Sequence, residues 1–194
     1  MNFQAFDTKK FRISLPETFI GGDPVQDKKA IRNAIRDLPH GHQPLFQRFF
    51  SQAIFSFMAA DTRQLEGQYG LTTCIVNLIK VPHRYVGLTP TELMNTLLNQ
   101  LESSSDVLEA DTVQFPGFDA VRIITTHRKS RGIFGFPIGI RSSRDKSEPS
   151  IEKSLTFIFI RGDKYVSAIF TTQPEFFSDL LPIFEESFAT LEIF

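Results

Sequence analysis

The sequence holds no Trp, one Cys, three Tyr and three Met in its 194 residues. With Cys74 alone, an intramolecular disulfide and a zinc cage of several thiolates are both excluded. Net charge is equally scarce, at −1 with His neutral. Total charge therefore selects neither nucleic acid nor an anionic membrane as a partner. No apolar run is long enough to span a bilayer. Residues 1–10 carry Asp7, Lys9 and Lys10 and lack the apolar stretch of a signal peptide. A cytoplasmic location is the resulting expectation. The shortage of Tyr and Trp also bears on function, because interaction surfaces favour these residues and Arg.

What the chain has in excess is Phe, with 21 residues. Phe carries no polar group, so the excess is a resource for packing. An apolar share of 41% and a charged share of 22% are ordinary for globular proteins. The length suits one large domain, residues 1–194, with a sizeable buried core.

Residues 11–16, Phe-Arg-Ile-Ser-Leu-Pro, alternate with period two and read as the first strand. Gly21-Gly22 reads as a loop, and Asp23-Pro24 as an N-cap followed by Pro at the first helical position. Ile31, Ile35 and Leu38 then recur at helical spacing among Asp27, Lys28, Lys29, Arg32, Arg36 and Asp37, the pattern of a surface helix. Pro39-His40-Gly41-His42 breaks it, and residues 44–52 restart a shorter helix with Phe46, Phe49 and Phe50 on one side. Strands are expected over 54–60 and 71–81, joined by a polar loop and closed by Pro82.

Thr89-Pro90-Thr91-Glu92 spells a capping box, and Leu93, Met94, Leu97, Leu98 and Leu101 form the apolar stripe of the helix behind it. A short strand over 107–113, a turn at Phe115-Pro116-Gly117-Phe118 and a strand over 120–127 follow. After a long loop over 128–150 comes a hairpin over 153–173 that turns at Gly162-Asp163. The last helix, 174–194, carries Phe177, Leu180, Leu181, Phe184 and Phe188 as its stripe. Pro182 either lies in the first turn of a helix starting near Asp179 or kinks a longer one. Hairpins joined to amphipathic helices predict an α+β fold: an α/β/α sandwich with a central antiparallel sheet and helices on both faces.

This order resembles the PsbP-like superfamily, which includes the Ran-binding Mog family and related bacterial lipoproteins. The resemblance is carried by the strand ending at Pro16, the capped helix from Thr89, the Phe115-Pro116-Gly117-Phe118 turn, the terminal hairpin and the closing Glu186-Ser187-Phe188. It spans residues 11–16 and 53–194, which makes the helical pair at 23–52 an insertion. It implies the sandwich fold, no catalytic residues and no cofactor.

The residues themselves offer few chemical constellations. Cys74 is a nucleophile only with a base and an acid nearby, and its apolar strand makes it a small hydrophobe instead. His40 and His42 flank a Gly that would let both rings converge on a metal, but Asp37 is the sole further ligand close in sequence. Arg161-Gly162-Asp163 spells an adhesion tripeptide, and its place in a hairpin turn explains it structurally. The compositional anomaly is residues 127–146. Arg128, Lys129, Arg131, Arg141, Arg144 and Lys146 face a single acid, Asp145, and bracket a Gly-punctuated apolar centre that includes Phe134 and Phe136.

Such a segment can grip an acidic protein surface or anionic lipid headgroups, or fold its Phe and Ile over a sheet edge. Long connections in compact domains often carry function. The leading expectation is a non-catalytic protein-binding or assembly module using Arg128, Lys129, Arg131, Phe134, Phe136, Arg141 and Arg144, with another protein rather than nucleic acid as partner and peripheral membrane contact as a lesser option. The alternatives are a small-molecule or lipid-binding protein with an apolar pocket between sheet and helices, and a metalloenzyme or hydrolase built on His40, His42 or Cys74.

Overall fold

The computed structural model describes residues 1–51, 55–63, 71–101, 105–128 and 151–194, with the backbone alone at Arg128. Three short strands open the chain: β1 (Phe3–Asp7), β2 (Phe11–Pro16) and β3 (Phe19–Gly22). Helices α1 (Lys28–Arg36) and α2 (Gln43–Phe50) lead to β4 (Phe57–Asp61) and β5 (Thr73–Lys80). After a 3-10 turn comes α3 (Pro90–Leu101), followed by β6 (Asp106–Phe115), β7 (Phe118–Arg128), β8 (Ile151–Arg161) and β9 (Lys164–Thr172). Helix α4 (Pro174–Ala189) and β10 (Glu192–Ile193) close the chain.

Seven strands form one antiparallel sheet in the order β3-β4-β5-β9-β8-β7-β6, and β1-β2-β10 form a second, three-stranded sheet. The register of the large sheet separates its residues into two faces. One face sets Cys74, Val76, Phe170, Ala168, Leu155, Phe157 and Phe159 against Phe177, Phe184 and Phe188 of α4 and against Phe11, Ile13 and Leu15 of β2. The other face is covered by α1 and α2 over Met58, Ala60 and Ile75, and by α3 over Val121, Ile123 and Ile158. The α+β sandwich with helices on both faces is thus present, and the small sheet shares a layer with α4.

Most of the described Phe residues pack in the α4 layer. Phe188 stacks on Phe157 with centroids 4.0 Å apart, Phe118 on Phe159 at 4.2 Å and Phe170 on Phe184 at 5.0 Å. These rings fill the space between sheet and helix with their own atoms, in the offset and edge arrangements aromatic quadrupoles favour.

Several local expectations hold. Thr89 N donates to Glu92 Oε2 at 2.8 Å and Glu92 N to Thr89 Oγ1 at 3.3 Å, so the capping box forms. Gly162-Asp163 is the two-residue turn of β8 and β9, with Gly162 at φ 60°.

Others do not. Residues 11–16 are the second strand, because β1 pairs with them from Phe3 opposite Pro16 to Asp7 opposite Arg12. Gly21-Gly22 is strand, not loop. Gly21 lies opposite Ala59, and a Cβ there would come within 2.5 Å of the Ala59 Cβ, so glycine serves close approach of β3 to β4. Asp23 caps a turn rather than the helix: its Oδ1 accepts from Val25 N at 2.8 Å and Gln26 N at 3.0 Å, and α1 starts only at Lys28. Strand β4 starts at Phe57 rather than at residue 54. The last helix, α4, begins at Pro174 as expected and runs through Pro182, whose ring lies on the exposed side, but it ends at Ala189 and β10 follows.

Candidate functional site

The basic and apolar segment springs from the paired ends of β7 and β8, where Arg128 lies opposite Ile151. Lys129, Arg131, Phe134, Phe136, Arg141 and Arg144 lie outside the described residues. The structure therefore fixes the platform from which the segment departs. That platform is held by buried hydroxyls. Thr73, Thr171, Ser154 and Thr125 are cross-strand neighbours in successive strands β5, β9, β8 and β7, so they form one row across the sheet. Ser154 Oγ and Thr171 Oγ1 are 2.8 Å apart. Thr156, two residues further along β8, is buried, and its hydroxyl has no hydrogen-bond partner among the described residues.

His127 ends the row. Its Nδ1 lies 2.8 Å from Ser105 Oγ, just past α3, and its Nε2 lies 2.8 Å from Thr125 Oγ1. Burial holds its pKa below the usual 6.5, because the charged ring loses hydration there. The neutral ring must donate from one nitrogen and accept at the other, and a hydroxyl suits either role. The bridge ties the end of α3 to β7 at the root of the segment. Nothing in the local sequence singled out His127, since its partners are a neighbouring row residue and a residue in the preceding connection.

The other candidates are dispersed. Cys74 is fully buried in the α4-side core, and burial raises its thiol well above the ordinary range. A protonated thiol without access is no nucleophile. His40 is exposed, with Nδ1 3.2 Å from Gln43 Nε2, while the Nδ1 of His42 is buried without a partner. Among the described residues no group of three His, Cys, Asp or Glu is placed to hold a metal ion. The exposed side of α1 carries Lys28, Lys29, Arg32 and Arg36, none of them ion-paired with a described residue. An open groove of about 330 Å³ lies at the start of α3, the start of β7 and the end of β8, away from the root of the segment, between Leu88, Leu93, Val121 and Ile158. Phe118 and Phe159 of the Phe-rich layer also line it, so it opens at the end of the sheet. No described helix is long and apolar enough to cross a membrane.

No protein-family model matches the chain, and no curated protein matches its sequence. Solved structures do. The Ran-binding protein Mog1p of Saccharomyces cerevisiae matches with a TM-score of 0.55 at 12% identity, over 100% of this chain and 96% of its own. LpqN, involved in cell envelope biogenesis of Mycobacterium tuberculosis, matches with a TM-score of 0.52 at 7% identity, over 99% of this chain and 90% of its own. The cyanobacterial PsbP of Synechocystis sp. PCC 6803 aligns over 99% of this chain and 92% of its own, at 10% identity and a TM-score of 0.49. The likeness to Mog1p and LpqN is one of fold, and it extends along nearly the whole chain.

Proposed function

We propose that this chain is a non-catalytic protein-binding module that engages an acidic surface of another protein. The observation that carries the reading is the whole-chain fold likeness to Mog1p, a Ran-binding protein. Charge supports the acidic partner. The exposed side of α1 presents four cations, and residues 128–146 concentrate six more around an apolar centre. Cations beside apolar residues combine steering of an acidic partner with burial of area once docked. The strand ends from which the segment departs are held by buried hydrogen bonds of Ser154, Thr171, Thr125 and His127.

The test is affinity capture from the native cell with the wild type and with Arg131→Glu/Arg141→Glu/Arg144→Glu. The expected result is loss of the captured partner by the variant, with an unchanged circular dichroism spectrum. A folded variant that retains every partner overturns the reading.

A further inference from the structure

The two edges of the seven-stranded sheet are finished differently. At β3 the edge is four residues long, and the Gln4 side chain covers it, Nε2 donating to Phe19 O at 2.7 Å and to Glu17 O at 3.0 Å. At the other edge β6 runs for ten residues, and no described strand pairs with its outer side. Asp106, Leu108, Glu109, Asp111, Thr112 and Gln114 are all exposed. Such an edge presents a row of main-chain donors and acceptors that another strand can complete.

The side chains say which strand fits. The register shifts between Val107 and Glu109, which makes Leu108 the extra residue of a bulge, 49% exposed. Beyond the bulge the ladder is regular to Phe115. Glu109 and Asp111 share one face with Val113 and Phe115, by the period of two. Arg122 on β7 sits below the carboxylates, 3.1 Å from Glu109, 3.6 Å from Asp111 and 3.0 Å from Glu185 of α4. One guanidinium meets three carboxylates, so the group keeps an excess of negative charge. Those carboxylates are 62%, 53% and 43% exposed, against 10% for the Arg122 side chain. The cation is used inside, and the anions face outward.

We propose that the outer edge of β6 takes up an extended basic segment of a partner protein as an eighth strand. Cations at alternate positions would lie opposite Glu109 and Asp111, and apolar residues two and four positions further along opposite Val113 and Phe115. Main-chain bonds supply affinity in this mode, and alternate side chains supply selectivity. The same charges turn away a second copy, because antiparallel pairing about Asp111 sets that carboxylate against itself. This surface is opposite in charge to α1 and to residues 128–146 and uses none of them. The experiment below and the capture experiment can therefore fail independently.

Fluorescence anisotropy of the full chain with short labelled peptides tests the proposal. The probes carry Arg at alternate positions followed by alternate Val and Phe, in both chain directions. Controls are a scrambled peptide and one with two interior prolines. The matching protein variant is Glu109→Gln/Asp111→Asn, which leaves amide oxygens for Arg122. The expected result is binding of one direction, about tenfold weaker for the variant and for the proline peptide, with slowed amide exchange within residues 106–115. Absence of binding by every peptide overturns the proposal. Equal binding of the proline peptide, or protection confined to another strand, does the same. Sedimentation of the chain alone supplies the last arm: self-association that the variant abolishes would assign the edge to a second copy instead.

Discussion

At the scale of single residues, the capping pair Thr89 and Glu92 was legible because each needs only the other, three positions away. Gly21 was misread for the opposite reason: its cause is Ala59 on another strand, and local pattern cannot distinguish a glycine of a loop from one of close approach. His127 is hidden in the same way, since its partner Ser105 becomes a neighbour only in the fold. The burial of His127 has a consequence for pH. The folded ring holds a lower pKa than the unfolded chain, so the unfolded state binds more protons as pH falls below about 6.5. Stability rises with pH where the unfolded state is the more protonated. The contribution is complete above that value and is lost as pH falls towards the folded pKa. Urea titrations of the wild type and of His127→Asn between pH 7.5 and pH 5 should show the wild type losing stability relative to the variant on acidification. A difference independent of pH would contradict the assignment.

At the scale of elements, amphipathic period and turn chemistry located α3 and the β8–β9 hairpin, and the missed elements are short ones. Strand β1 and the two-residue β10 exist through pairing with β2, so their own composition says little. Helix α4 runs through Pro182 because Phe177, Leu180, Phe184 and Phe188 are buried on its inner side while Pro182 is exposed. Packing of the apolar stripe outweighs one lost main-chain bond at residue 182. A proline within a helix costs about 3 kcal/mol, less roughly 1 kcal/mol for the stiffer unfolded chain. Pro182→Ala should therefore raise stability by about 2 kcal/mol in urea unfolding. A loss of stability would mean that the proline shapes α4 for its place over β8.

At the scale of the molecule, clusters of opposite charge coexist in a chain whose net charge is −1. Cations lie on α1 and in residues 128–146, while carboxylates line the open edge of β6. Composition made the basic segment visible in the sequence. The acidic edge was not, because Glu109, Asp111 and Glu185 come together only when α4 crosses the sheet at Arg122. The Phe stack and the hydroxyl row make a close-packed, hydrogen-bonded scaffold. Binding on such a scaffold should change residues 128–150 and leave the core alone. Hydrogen exchange of the chain, alone and with the partner it captures, tests this directly. The account predicts slowed exchange in peptides spanning residues 128–150, with β5, β8, β9 and α4 unchanged. Protection that leaves residues 128–150 untouched would contradict it.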